Sequence, residues 1–402
     1  MGRKDARVLP EGITLHKRYI VGNVLGIGGF GITYAAYDKK QRERLAIKEY
    51  FPAEWAMREQ AGIRIVPGGQ TKNKVYRHGQ EVFINEAKIL NRLQNIPSVV
   101  NVKDFFAENG TAYMVMEYVD GYTLSGYMRQ KNMKYMPYDM AGKIIKNAGI
   151  AAQQVHEKML LHRDMGPDNI MLLKNGEIRL IDFGATRMYA MNSNKSMSVL
   201  IKPGFAPIEQ YSRTGKQGPW TDVYALAATY YYLVTGTKPP QAPDRIAGTT
   251  LVPLHKQTNP HLHIPYRISK AVEHALKEDW KKRTKSMREF LTEMGMLSTP
   301  YILMKTGERY MRYPIGPDYT FCIGRAPQTN QIVLSDRQVS AVHCKVQYDV
   351  RNNRFYIKNY SSNCTFTSRG TLKKGKGAYF DRGEWFYIRT SKAVYTFYLE
   401  VE

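Results

Sequence analysis

Acidic side chains are scarce in this 402-residue chain: 35 Asp and Glu stand against 59 Lys and Arg, a net charge of +24. Such a surface suits acidic, phosphorylated or polyanionic partners. The excess is spread along the chain, with sixteen Lys and Arg against eight Asp and Glu from residue 301 onward. Its clusters are short, such as Lys281-Lys282-Arg283 and Lys373-Lys374. Cysteine is scarcer still, and Cys322, Cys344 and Cys364 are an odd set without metal-like spacing. They argue against a disulfide framework and leave reduced, partly buried thiols. Long apolar runs are missing as well. The longest, Val223 to Val234, is interrupted by tyrosines and falls short of the roughly 20 residues a membrane span needs. The opening Met1-Gly2-Arg3-Lys4-Asp5 lacks the apolar stretch of a secretory signal, and Ala6 breaks the myristoylation pattern. A soluble, cytoplasmic protein is expected, and 43% hydrophobic content makes it globular.

Periodicity divides the chain. Residues 1–15 read as a polar tail. From Tyr19 to about Glu117, short β-branched and aromatic runs alternate with glycine, interrupted by one helical segment with Phe83, Glu86, Ala87 and Leu90 on a face. The chain then turns helical as far as about Met296, and Met140, Ile144, Ala148, Ala151 and Val155 form a buried stripe. Ser298-Thr299-Pro300 punctuates the sequence. Beyond it a period of two takes over, with Cys344, Val346, Tyr348 and Val350 alternating with polar neighbours, then Phe355 and Ile357, then Tyr395, Phe397 and Leu399. About 100 residues of short strands and tight turns predict an all-β sandwich.

The chemistry-bearing residues sit in the first part. His162-Arg163-Asp164 is followed by Asn169 and, thirteen residues later, by Asp182-Phe183-Gly184. Phosphoryl transfer from a magnesium nucleotide needs one acid to orient a hydroxyl, and an amide and a second acid to hold metal against phosphates. Upstream, Gly26-Ile27-Gly28-Gly29-Phe30-Gly31 is flanked by strand-like sequence on both sides, whereas a dinucleotide-binding turn would open a helix. Leu45-Ala46-Ile47-Lys48 ends a strand on a lysine for phosphate oxygens, and Glu86 is expected to hold that ammonium as an ion pair.

With these parts in place, residues 10–295 resemble the eukaryotic-type (Hanks-type) serine/threonine protein kinases of bacteria. The resemblance implies an α+β fold of two lobes, about 16–117 and 118–296, with ATP and Mg2+ between them. It makes Asp164 the catalytic base, with Lys48 and Glu86 supporting it, and gives the metal to Asn169 and Asp182. The nucleotide would lie against Gly26 to Gly31, Thr33, Ala46, Lys48, the Met116 gatekeeper, the backbone of Glu117 and Val119, and Met171. Ala206-Pro207-Ile208-Glu209 resembles the end of an activation segment, with Glu209 paired to Arg283 and Asp222 bracing the catalytic loop. Arg163 would gather a phosphorylated activation segment, and Ser193, Ser196 and Ser198 are the candidate phosphate acceptors.

Departures from the family pattern are informative. Gly166 stands where serine/threonine kinases carry a lysine facing the transferring phosphate, and Lys202 stands where a threonine precedes Pro-Gly. The two changes read as linked, with Lys202 supplying the missing cation. The connection between Lys48 and Glu86 is also long, 37 residues, and predicts an extra cover on the small lobe.

Past a linker at 297–300, residues 301–402 carry Gly324-Arg325, Ser340-Ala341-Val342-His343 and Ser361-Ser362-Asn363-Cys364-Thr365 in that order among strands. This resembles the forkhead-associated (FHA) domain, a reader of phosphothreonine. It implies that Arg325 and Ser340 bind phosphate, Asn363 holds the peptide backbone, and His343 braces the loops. Ala341 and Cys364 replace the usual Arg and Gly. The combined expectation is a protein kinase with a recognition domain in cis, acting on protein substrates and binding either a partner or its own phosphorylated segments. A catalytically inactive scaffold is the alternative, opposed by the intact Lys48, Glu86, Asp164, Asn169 and Asp182. Nucleic-acid binding by the basic surface has no reader motif behind it.

Overall fold

In the computed structural model the described residues are 5–59, 62–183, 187–188, 201–212, 214–257, 264–297, 300–315, 321–349 and 354–401. Gly184, Ser193, Ser196 and Ser198 lie outside them. The chain forms two compact units, Met1–Met294 and Gly295–Glu402. The division falls just before the expected linker, where the last helix of the first unit stops and Gly295 takes the left-handed φ of 75° that ends helices readily.

The first unit begins with a six-stranded sheet in the order β1-β2-β3-β4-β8-β7. Its strands are β1 (Thr14–Leu15), β2 (Tyr19–Ile27), β3 (Gly31–Asp38), β4 (Glu43–Tyr50), β7 (Val102–Glu108) and β8 (Thr111–Glu117). Between β4 and β7 lie a small hairpin, β5 (Ala56–Arg58) with β6 (Ile65–Pro67), and helix α1 (Gln70–Asn91). The face predicted from sequence is the one α1 buries: Phe83, Glu86, Ala87 and Leu90 are all buried. The long connection therefore becomes the hairpin rather than a loose loop.

The helical half follows through β9 (Gly121–Thr123), α2 (Leu124–Gln130), α3 (Tyr138–Glu157), β10 (Leu160–Leu161), β11 (Ile170–Leu173), β12 (Ile178–Leu180), β13 (Arg187–Met188), α4 (Pro219–Thr235), α5 (Ala242–Ile246), α6 (Tyr266–Ala275) and α7 (Met287–Glu293). Ile144, Ala148, Ala151 and Val155 of α3 are buried as their spacing predicts. Helix α4 is apolar nearly all round and buried nearly all round, the signature of a core helix. No helix among the described residues is long and apolar enough to cross a membrane.

The second unit is a sandwich. One sheet runs β15-β14-β24-β23-β20-β21 and the other β17-β16-β18-β19-β22. The first uses β14 (Pro300–Thr306), β15 (Arg309–Pro314), β20 (Thr365–Thr367), β21 (Gly370–Leu372), β23 (Trp385–Arg389) and β24 (Val394–Val401). The second uses β16 (Phe321–Gly324), β17 (Ile332–Val333), β18 (Cys344–Asp349), β19 (Arg354–Asn359) and β22 (Gly377–Phe380). Their inward residues, among them Ile323, Cys344, Val346, Phe355, Ile357, Phe386, Phe397 and Leu399, make one core. None of the three cysteines is in a disulfide.

The hairpin is locked to the sheet by a buried charge pair. Arg58 donates to Glu49 Oε2 at 2.6 Å, and Tyr34 and Tyr113 hydroxyls donate to the same carboxylate at 2.9 and 3.0 Å. Burial pushes the Glu49 pKa up against the opposing pull of Arg58 and the two tyrosines. Removing one partner of a buried pair leaves the other uncompensated. Arg58→Ala is expected to destabilise this unit by ~3 kcal/mol, measured as a lower unfolding midpoint, whereas exposed Arg64→Ala should leave it unchanged.

Candidate active site

Glycine sets the nucleotide side of the cleft. The turn between β2 and β3 is closed by Gly28 N donating to Gly31 O at 2.8 Å, with Gly29 at its tip. A Cβ at Gly31 would stand 2.5 Å from Glu49 O, so no other residue could lie this close to β4. Gly26 and Ile27 pair with Thr33 and Ile32, Thr33 pairs with Lys48, and Ala46 and Lys48 pair with Met116 and Met114. Gly26, Ile27, Thr33, Ala46, Lys48 and Met116 thus share one sheet. Glu117 donates its amide to Asn101 O at 2.9 Å at the end of β8, Val119 follows, and Met171 enters from β11, paired with Thr123 of β9.

The hairpin insertion reaches this turn. Phe51 N donates to Phe30 O at 2.9 Å, and the Phe30 and Trp55 rings lie 6.0 Å apart. On the other side Lys72 of α1 donates to Glu54 O at 2.9 Å. One segment therefore holds both the glycine-rich turn and the first part of α1.

The catalytic side is built on a buried carboxylate. Asp222 on α4 accepts from His162 N at 2.9 Å, from Arg163 N at 2.6 Å, and pairs with His156 Nε2 at 2.7 Å. Burial works against its charge, but His156 and the amides prevail and its pKa is lowered. The bonds hold Arg163 at φ 67°, a conformation disfavoured for any side chain but glycine's. Thr229 donates to Met165 O at 2.8 Å, and Asn169 Nδ2 donates to Asp164 O at 2.9 Å. His162 is buried against the Phe183 ring, centroids 4.3 Å apart, and burial lowers its pKa. It packs; nothing places it as a proton carrier.

Two ion pairs define the electrostatics. Lys202 Nζ lies 2.9 Å from Asp164 Oδ2, in space left open at Gly166, where a Cβ would come only within 3.8 Å of that ammonium. Lys48 Nζ pairs with Asp182 Oδ1 at 2.7 Å. The expected Lys48–Glu86 ion pair is not formed within 4.0 Å, a correction to the sequence reading. The reason is geometric: the Lys48 ammonium reaches Asp182 Oδ1 and no oxygen of Glu86. Glu86 is 8% exposed and has an unpartnered buried Oε1, and burial pushes its pKa to about 7. Asp182 keeps 47% of its side-chain surface in solvent. Burial opposes the Lys48 charge, but Asp182 and then Glu86 outweigh it and raise its pKa.

The donor set fits a nucleotide and a hard cation. Among the described residues no group of three or more His, Cys, Asp or Glu could hold a metal. One carboxylate and one amide, Asp182 and Asn169, suit a cation completed by phosphate and water. Farther out, Arg283 reaches Glu209 at 2.6 and 3.1 Å with both side chains buried, so the segments around these two residues are tied together.

In the second unit, Arg325 N donates to Ser340 O at 2.9 Å and Arg325 Nε to Val339 O at 3.2 Å. Ser340 Oγ lies 2.7 Å from Ser361 Oγ, which accepts from Asn363 N at 3.0 Å. Asn363 Nδ2 donates to Gln338 O at 2.8 Å. The three residues expected at a phosphopeptide thus form one network of loops. His343 is buried, and burial pushes its pKa to about 4.

A family model described as the protein kinase domain matches residues 19–301. The chain belongs to the protein kinase family. A second, described as the FHA domain, matches residues 321–378. Among similar curated proteins, serine/threonine-protein kinase PknA of Nostoc sp. is 29% identical over 71% of this chain and 49% of its own length. Serine/threonine-protein kinase B of Synechocystis sp. is 27% identical over 72% and 50%. The chain spans about half the length of these two curated relatives. Among solved structures, one titled PpkA-294 apo form superposes with a TM-score of 0.64 at 32% identity, covering 72% of this chain and 99% of its own. The PknI kinase domain of Mycobacterium tuberculosis shares the fold at a TM-score of 0.51 and 24% identity, covering 72% and 99%.

Sequence reasoning missed Glu49, Arg58 and Trp55. A charged residue on the inward register of a strand was the available signal for Glu49; its partner nine residues on had none. Two outcomes follow. Trp55→Ala is expected to loosen the glycine-rich turn and weaken nucleotide binding several-fold with little change in Tm, read by titration calorimetry. For Glu86, a folded-state pKa near 7, above the ordinary 4.5, means the folded protein keeps the proton longer than the unfolded chain. Ionisation then subtracts stability progressively from about pH 4.5 to 7. Glu86→Gln should match wild type in Tm at pH 4.5 and exceed it increasingly up to pH 7, where the gain levels off. A constant difference across that window would contradict the assignment.

Proposed function

We propose that this chain is a serine/threonine protein kinase that transfers the γ-phosphate of MgATP to protein hydroxyls, and that its C-terminal domain binds phosphothreonine. The single observation that carries the first part is the convergence of Lys48, Asp164, Asn169 and Asp182 on one cleft, with Lys202 against Asp164. The kinase domain is assigned to residues 16–296 and the reader to 301–402. The curated relatives named above support the serine/threonine class.

When bound, MgATP would supply the transferable phosphoryl group and a cation shielding its charge. Backbone amides of Gly26 to Gly31 would lie along the phosphates, and Lys48 would turn from Asp182 toward their oxygens. Asn169 and Asp182 would hold the magnesium. Asp164 would orient the substrate hydroxyl and accept its proton. Lys202, in the position Gly166 leaves empty, would stabilise charge on the phosphoryl oxygens while fixing the Asp164 carboxylate. A purely scaffolding role gains no support from any of these positions.

Asp164→Asn should abolish transfer of labelled phosphate. Lys202→Ala is expected to lower kcat about 100-fold, and Gly166→Lys in that background to restore at least a tenth of the activity, since the vacated space admits a side chain. If Lys202→Ala phosphorylates as fast as wild type, the relocated cation is wrong while the kinase assignment stands.

A further inference from the structure

We infer that the C-terminal domain carries a second anion subsite beside its phosphothreonine pocket, formed by Lys345, Lys358 and Tyr360, and that its ligand is a phosphopeptide bearing an additional anionic side chain. The inference rests on the phosphothreonine reading and extends it. Lys345 and Lys358 are direct register partners on β18 and β19. Like charges placed opposite each other in a sheet destabilise it. Among the described residues neither lysine has a carboxylate within 4.0 Å to offset this, although the same pair of strands ends in the opposite-charge couple Asp349 and Arg354.

Both ammoniums instead converge on one ring. Lys345 Nζ lies 5.1 Å and Lys358 Nζ 5.4 Å from the centroid of Tyr360, which is 39% exposed. A ring can partly offset the repulsion, but it cannot neutralise two positive charges. The site is contiguous with the phosphate loop: Tyr360 N and Ser361 N both donate to His343 O, at 2.8 and 3.1 Å, and Ser361 Oγ meets Ser340 Oγ at 2.7 Å. Extended peptide advances about 3.3 Å per residue, so an anchored phosphothreonine would bring side chains a few positions away over the lysines. Phosphoserine, phosphothreonine, aspartate and glutamate share the chemistry required.

The test uses fluorescence anisotropy on the full chain with labelled phosphothreonine peptides. One has neutral flanks; in the others a glutamate or a phosphoserine is moved through the four positions on either side. Wild type is expected to bind at least one acidic peptide about fivefold more tightly than the neutral one, more for phosphoserine than glutamate, with the gain shrinking as salt rises. Lys345→Gln/Lys358→Gln should lose the gain and still bind the neutral peptide normally. Lys358→Glu creates a cross-strand ion pair with Lys345, so it should fold at least as stably and also lose the gain. No gain at any position, or a gain that survives in both variants, overturns the subsite. Failure of the neutral peptide to bind in an Arg325-dependent way would instead overturn the phosphothreonine reading itself.

Discussion

Everything on the catalytic side of this molecule hangs from one buried carboxylate. Asp222 is fully enclosed on α4, yet stays ionised because two backbone amides and His156 surround it. Its two oxygens hold the amides of His162 and Arg163, and that fixes a left-handed turn which would otherwise relax. From the turn follow the direction of Asp164, the carbonyl that holds Asn169, and the packing of His162 on Phe183. A loop of polar residues becomes a rigid template because its strain is balanced by charge-assisted hydrogen bonds from the most deeply buried helix.

The small lobe uses burial in the opposite sense. Glu86 and Glu49 are both enclosed, but Glu49 has an arginine and two tyrosines while Glu86 lacks a partner on Oε1. Lys48 has an enclosed carboxylate, Glu86, and a half-exposed one, Asp182, in its surroundings, and it pairs with the half-exposed one. A cation and phosphates arriving at Asp182 would compete for that carboxylate and change the balance.

Much of this was readable because the signals are local. The spacing of Asp164, Asn169 and Asp182, the glycines before β3 and the stripe on α3 depend on residues near in sequence and on elementary periodicity. Three features were not readable in that way. The partner of Lys48 depends on which acid the fold brings to its ammonium, which no spacing records. The tie from Arg58 to Glu49 depends on how a hairpin folds back over a strand. The pairing of Lys345 with Lys358 depends on strand register. Lys202 is an intermediate case: its departure from the family pattern was visible and suggested a link with Gly166, but the meeting at Asp164 is a matter of three-dimensional proximity.

The C-terminal domain turns the same reasoning toward affinity. In the free domain Ser340 already pairs with Ser361 and Asn363 already donates to Gln338. A peptide that recruits them exchanges one hydrogen bond for another, and such an exchange yields little net free energy. Ala341 and Cys364 supply neither the cation nor the glycine usual in this family. Arg325 is then the one proposed phosphate ligand in the network whose charge adds attraction rather than substitution, and a single exposed cation gives a weak site. Further positive charge close to the phosphate loop would therefore add most to binding, and in the subsite inferred above Lys345 and Lys358 would offer it to a peptide with an additional anionic side chain.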